Sequence, residues 1–238
     1  MKLKFFRKKF LFCFFVSFLL YLFFAGYVDN EITEKDREAI GKLGVEKECV
    51  SARGFDAEIS WIKSIQMAIR DLVTDFRCAT PPVNVEPHDF MSRGFGCCYD
   101  RARFTEKALR HYGFSTRHVA IYDAGNHGVF SIFIPGIPSH ATTEVRTQKG
   151  WLGVDSNHPF LLLTRDGKPL TYRNFKAWEN DIPDPVVPRS AYERELLIIY
   201  GLYSRHGKFH GPNLPGPEFV LAELRYNFFK DDHVSSAP

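Results

Sequence analysis

The chain has 238 residues, 45% hydrophobic and 25% charged, which is enough for one substantial domain with a core that needs no staples. Its overall positive charge is a property of one end: Lys2, Lys4, Arg7, Lys8 and Lys9 lie in the first 28 residues, where no Asp or Glu occurs, leaving 26 basic against 28 acidic residues beyond them, a net of −2. With no basic stripe interleaved with aromatics, a nucleic-acid partner is not indicated.

The five basic residues precede an uncharged run over 10–28. As a helix this run spans roughly 28 Å, about the hydrocarbon thickness of a bilayer. It is apolar on every face and opens the chain, which weighs against a buried core helix. The basic flank stays in the cytoplasm, so we expect one N-terminal transmembrane helix with the rest on the extracytoplasmic (periplasmic) side of a cell inner membrane. Ala25 and Gly26 lead into Tyr27 without an A-x-A pattern, so an uncleaved signal anchor is favoured over a cleaved signal.

The expected division is 1–28 anchor, 29–56 membrane-proximal linker with a short helix near 31–43, and 57–238 the folded domain. Trp61, Ile62, Ile65, Ile69, Leu72, Val73 and Phe76 recur at three- and four-residue spacing, a helix with one buried face that ends at Pro81-Pro82. A loop then runs to Gly94 and Gly96. The next helix spans 98–112, with Gly113 as its terminator. Strands are expected at 116–122, 129–134, 141–146, 151–154 and 160–164, separated by Gly, Pro and Asn turns. A Pro-rich loop at 181–188 precedes helices at 193–203 and 218–229. Helices, then an antiparallel sheet, then helices indicate an α+β domain, helices packed on that sheet.

Cys13 lies in the apolar run, and Cys49, Cys78, Cys97 and Cys98 lie beyond it. An exported domain with these four has room for one disulfide, such as Cys49 with Cys78, but spacing does not fix the pairing. Adjacent thiols do not chelate one metal easily, so a structural zinc is not expected, nor is a cofactor.

The densest chemistry begins at Gly96-Cys97-Cys98-Tyr99-Asp100-Arg101-Ala102. Cys98 opens a helix whose N-terminus favours a thiolate, which makes it the candidate nucleophile. Taken alone, such a cysteine is more often a buried structural one. His140 is the candidate proton carrier, with His118, His127 and His158 as competitors among nine histidines. Asp155, after the next strand, is the candidate orienter of that imidazole, although an isolated Asp there is more often a turn or cap. Cys97 is open to three readings: packing residue, disulfide partner of Cys49 or Cys78, or redox lock on its neighbour.

The region resembles the transglutaminase-like branch of the papain-like cysteine peptidase superfamily. The carrying residues are Gly96, Cys98, Ala102, Arg110 and Gly113, then His140-Ala141-Thr142-Thr143-Glu144-Val145, then Gly150, Trp151 and Asp155. Counting from Cys97 would displace both Ala102 and Gly113, so the register selects Cys98. The resemblance covers about 57–160 and implies a transglutaminase-like/papain-like cysteine protease fold with a Cys98-His140-Asp155 triad. Thr142 stands where the family has Trp, which would reshape an acyl-binding groove, and Ser156-Asn157 replaces Pro-Thr; neither removes a catalytic atom. Glu144 alternates to the face of His140, though an exposed or salt-bridged Glu is the commoner outcome. Trp151 is expected to pack over the His-Asp pair. The His- and aromatic-rich stretch 203–212 is either a cleft wall or a surface loop.

The implied chemistry is acyl transfer through a thioester. Cys98 attacks a peptide or amide carbonyl, His140 protonates the leaving amine, and the Cys98 backbone N–H is one oxyanion donor, with a second expected from the loop 83–92. Water as acceptor gives a peptidase or amidase, the favoured outcome; an amine gives a transglutaminase. The partners are then a protein, peptide or amide substrate and the membrane. The rival class is a non-catalytic transglutaminase-like binding or assembly module. Thiol redox exchange between Cys97 and Cys98 is weaker, since oxidoreductases usually space their thiols C-x-x-C.

Overall fold

The computed structural model describes residues 12–17, 28–45, 54–78, 85–134, 136–175, 195–203 and 218–229. Within the N-terminal apolar run, 12–17 are helical and most of the remainder lies outside the described residues. Among the described residues no helix is long and apolar enough to cross a membrane.

Helix α1 (Glu34–Gly41) begins with a reciprocal cap: Thr33 Oγ1 accepts from the Asp36 N–H at 3.2 Å, and Asp36 Oδ2 accepts from the Thr33 N–H at 3.0 Å. It buries Ala39 and Ile40 and is tied to the domain by a buried Lys107–Asp36 ion pair at 2.7 Å. Just before it, Arg103 binds the Asp29 carbonyl at 2.5 Å and Asn30 Oδ1 at 2.6 Å. The segment expected to be a linker is therefore packed against the domain from residue 28 to residue 45.

Helix α2 (Phe55–Leu72) inserts Ile62, Ile65 and Ile69 into the core, as their spacing requires. It stops well short of Pro81. Val73 turns extended, buries its side chain, and gives its carbonyl to Arg101 at 2.8 Å. The expected loop before Gly94 contains a further helix, α3 (Pro87–Arg93), with Pro at its first position, Asp89 in its first turn and Gly94 left-handed at φ 72°. Its Phe90 is fully buried. Helix α4 (Cys98–His111) matches expectation, and Gly113 leaves it at φ 97°.

The sheet is antiparallel in the order β3-β2-β1-β4, from β1 (Thr116–Asp123), β2 (Ser139–Thr147), β3 (Gly150–Val154) and β4 (Leu196–Tyr200). One face packs on α2 and α4 through Val145, Leu152 and Val154. The other carries a second core of Val119, Ile121, Phe160, Leu162, Leu170, Tyr172, Phe175 and Tyr200. With both faces covered, central β1 is buried almost throughout.

Four expected elements differ in the structure. Residues 129–134 are not a strand: Gly128–Phe133 is a 3-10 segment in the β1–β2 connection. The expected helix at 193–203 is β4 followed by β5 (Leu202–Tyr203), because Leu196-Leu197-Ile198-Ile199 is a short apolar run that suits the sheet edge beside β1. The expected helix at 218–229 is β6 (Glu218–Phe219), a single turn α5 (Leu221–Leu224) and a 3-10 turn (Arg225–Asn227). The 160–164 strand is reduced to isolated bridges, Val154 with Leu161 and Leu163 with Pro169. The Pro-rich loop 181–188, Cys49 and residues 204–217 lie outside the described residues.

Candidate active site

Cys98 is the first residue of α4, and its position is clamped from several sides. The Cys97 N–H donates to Asp100 Oδ2 at 2.9 Å, and Arg93 holds Asp100 Oδ1 at 2.5 Å. The fully buried Arg101 guanidinium donates to the Gly96 carbonyl at 2.7 Å. Gly96 is required by space: a Cβ there would lie 2.5 Å from the Phe90 ring and 2.8 Å from Asp100 Oδ2. Cys97 forms a disulfide with Cys78, which selects one of the three readings left open for it and leaves Cys98 a free, partly exposed thiol.

The structure brings Cys98, His140 and Asp155 together. His140 is the second residue of β2; its Nε2 lies 3.0 Å from Asp155 Oδ2, and its ring bonds the Cys98 sulfur. Burial opposes charge on both the thiol and the imidazole. It is outweighed: His140 and the N–H groups of Ala141 and Tyr99 lower the Cys98 pKa below its ordinary 9.0. In return, Asp155 and the Cys98 thiolate raise His140 to about 10. Both shifts run in the direction that favours a thiolate–imidazolium pair.

Asp155 is fully buried and held in turn. Its Oδ1 accepts from the N–H groups of Asn157 and His158, both at 2.7 Å. Its loop is fixed from α2. Gln66 donates to the carbonyls of Asp155 (2.8 Å), His158 (3.0 Å) and Phe160 (2.8 Å), Arg70 to Asn157 (3.0 Å), and Lys63 to Pro159. Sequence reasoning overlooked Gln66. Its signal was present: a polar residue adjoining Ile65 on the buried stripe of an amphipathic helix.

Other expectations resolve as follows. Glu144 is fully buried and salt-bridged to Arg117 at 2.7 Å, with its other oxygen on the Tyr172 N–H at 2.8 Å. Trp151 does not cover the His-Asp pair; it pairs with Arg146, six residues along β2 from His140, and stacks on the Arg117 guanidinium at 4.1 Å. Thr142 does not shape a groove, being buried with its hydroxyl on the Val154 carbonyl (2.6 Å) and Tyr172 (3.0 Å). Ser156 takes the place of Pro with a bond to the Ala141 carbonyl at 2.6 Å. Of the competing histidines, His118 is committed to Glu106 at 2.6 Å inside the domain. In the loop expected to supply an oxyanion donor, Ser92 is committed to the His88 carbonyl at 2.8 Å. Tyr122, which sequence reasoning also missed, is buried at the end of β1; burial and the charge of Cys98 both hold its phenol protonated. Among the described residues no group of three His, Cys, Asp or Glu side chains is placed to hold a metal ion.

A model of the transglutaminase-like superfamily matches residues 55–156, the stretch that contains all three residues. Over that stretch the chain is similar to the transglutaminase-like superfamily. A solved crystal structure of a TGase superposes on 62% of this chain and 37% of that chain, with 13% identity and a TM-score of 0.37. The chain thus spans little more than a third of that structure's length. No curated protein matches the sequence. The matched stretch begins at α2 and ends one residue past Asp155, so it includes the helix that positions the Asp155 loop, the cysteine helix and strands β1 to β3.

Proposed function

We propose that the protein is a thiol enzyme that cleaves peptide or amide bonds through an acyl-enzyme on Cys98, with His140 as proton carrier and Asp155 as orienter. The observation that carries the reading is the Cys98–His140–Asp155 constellation, with the thiol pKa lowered and the imidazole pKa raised. The thiolate attacks the carbonyl carbon, the C–N bond breaks, and the imidazolium gives its proton to the departing amine. With Nε2 engaged by Asp155, Nδ1 is the nitrogen that carries that proton. The Cys98 N–H, at the start of α4, receives the developing oxyanion. Neutral His140 then takes a proton from water as the water oxygen attacks the thioester carbon; the C–S bond breaks, releasing the acid and restoring the Cys98 thiolate beside protonated His140. Water is the proposed acceptor of the acyl group, which makes the reaction a hydrolysis.

We further infer that the run 10–28 anchors the chain in an inner membrane with the domain in the periplasm, the Lys/Arg flank remaining in the cytoplasm. The Cys78–Cys97 disulfide suits such an oxidising compartment. A reporter enzyme active only in the periplasm, fused after residue 238, tests the placement.

The chemistry is tested with p-nitrophenyl acetate. The proposal expects a burst of nitrophenol, a mass increase of one acetyl group on Cys98, and neither in Cys98→Ala. Discharge by water should dominate discharge by added methylamine. An equal burst from Cys98→Ala would exclude Cys98 as the nucleophile, and no burst from the native protein would leave the chain a non-catalytic module.

A further inference from the structure

Val28 is the last residue of the uncharged run 10–28, and it already belongs to the folded domain. Its N–H bonds the Phe219 carbonyl of β6 at 2.9 Å. Arg103 grips the next two residues, at the Asp29 carbonyl (2.5 Å) and at Asn30 Oδ1 (2.6 Å). No slack separates the apolar run from the domain, so the surface that flanks Val28 stays close to wherever that run is held.

That surface includes the β1–β2 connection. Phe219 pairs with Leu202 of β5, and Leu202 forms a buried cluster with Ala120 and Tyr122 of β1. Ile132 of the 3-10 segment Gly128–Phe133 packs on this cluster. Ala120 and Tyr122 share a face of β1 with His118, which bonds Glu106 of α4 at 2.6 Å, and Tyr203 of β5 donates to the same carboxylate at 2.8 Å. The 3-10 segment, β5 and β6 thus lie on the α4 side of the sheet, with the segment within about 20 Å of Val28. Fully buried Ser131, whose hydroxyl donates to the Gly128 carbonyl at 2.7 Å, and Ile132 turn inward. Their neighbours turn outward: Val129, Phe130 and Phe133 are 56%, 68% and 63% exposed. No Asp, Glu, Lys or Arg occurs from Ala124 to Thr143, in a chain that is 25% charged, and the exposed titratable group of the connection is His127.

We infer that Val129, Phe130 and Phe133 form a membrane-contact surface that sits among the headgroups of the bilayer holding the run 10–28. This rests on the anchor reading above and not on the chemistry of Cys98. The chain itself delivers the occupant, because Val28 ties the end of the run to the strand pair that the 3-10 segment adjoins. An exposed apolar patch marks a contact, and aromatic side chains without charge suit the bilayer interface. Phe228 and Phe229 are exposed as well, but they follow Tyr226, which packs on Tyr200 in the core on the other face of the sheet. They stay in water.

The test uses the full-length protein in nanodiscs of phosphatidylethanolamine and phosphatidylglycerol, with and without bromine near the headgroup end of the acyl chains. Tryptophan is introduced as Phe130→Trp or Phe228→Trp, both at exposed positions that an aromatic ring already occupies, and the emission of the native chain in the same discs is subtracted. The Phe130→Trp emission should lose about half its intensity to bromine, since an interfacial side chain reaches roughly 5–10 Å into the headgroup–acyl boundary. The Phe228→Trp emission should be unchanged. Native protein that fails to assemble with the discs overturns the anchor reading and this surface with it. Anchored protein in which Phe130→Trp is quenched no more than Phe228→Trp overturns the surface alone. A blue-shifted but unquenched Phe130→Trp emission also overturns it and assigns the rim to a protein partner.

Discussion

The carboxamide of Gln66 and the backbone of Asp155 are 89 residues apart in sequence and 2.8 Å apart in space. One helical side chain thereby sets the loop that presents the carboxylate to His140, and it closes two more carbonyls, at His158 and Phe160, in the same stroke. The Asp155 carboxylate is consequently defined from both sides, by the imidazole on one oxygen and by two backbone N–H groups on the other.

Replacing Gln66 with Leu strands these carbonyls without donors. The expected loss is about 3 kcal/mol of stability. The urea midpoint measures it, and Cys98 alkylation should slow in the residual folded protein because Asp155 is no longer fixed. A loss below about 0.5 kcal/mol, within the range of a neutral surface change, would contradict this role.

Asp155→Asn removes the charge that holds the imidazolium. His140, raised to about 10 in the native protein, should return toward its ordinary 6.5, and the Cys98 thiol should move back up toward 9.0. On the proposed mechanism the ion pair persists in the native protein from the lowered thiol pKa up to about 10, so kcat/KM should rise as the thiol ionises and fall as His140 loses its proton. In the variant that window narrows from both ends, and activity at neutral pH should fall by about 10³ to 10⁴. A pH–rate profile unchanged in shape would contradict the assignment.

Glu144 belongs to the same sequence block as His140 but should behave differently. Its carboxylate is buried against Arg117, whose guanidinium lies between the Trp151 and Tyr200 rings at 4.1 Å from each. Glu144→Ala leaves that cation uncompensated and should cost about 3–5 kcal/mol. The pH dependence of Cys98 alkylation in the folded fraction should stay as in the native protein. A displaced profile would make Glu144 part of the proton-transfer site.

The Cys78–Cys97 bridge closes a loop 19 residues apart in sequence and ends one residue before the thiol. Its removal in Cys78→Ser/Cys97→Ser should lower stability by about 3 kcal/mol on the chain-entropy account. Cys98 should remain alkylated at an unchanged apparent pKa, because its charge is set by His140 and backbone N–H groups. An apparent pKa that rises with the double substitution would mean that the bridge tunes the thiol as well as the fold.

The Cys98 helix was legible because its residues act locally: Gly96 must be small under Phe90, α4 starts at Cys98, and Gly113 takes positive φ. The strands carrying His140 and Trp151 were legible through alternation and turns. What failed depended on distant partners. Residues 196–199 form an apolar run compatible with helix or sheet, and only β1 decides it. The 129–134 stretch has β-branched and aromatic residues but coils because Ser131 finds carbonyls within its own loop. Glu144 and Arg117 are 27 residues apart, and neither spacing nor composition announces that they form one buried pair. Gln66 was hidden in the same way, since a lone polar residue on a buried stripe marks a partner without naming it.

The most direct test of the central claim is the rate of Cys98 alkylation by iodoacetamide from pH 4 to 10, in the native protein and in His140→Ala. The account predicts an inflection below the ordinary thiol value of 9.0 in the native protein, and its return toward 9.0 when the imidazole is removed. A native inflection near 9.0, or one that His140→Ala leaves in place, would contradict it.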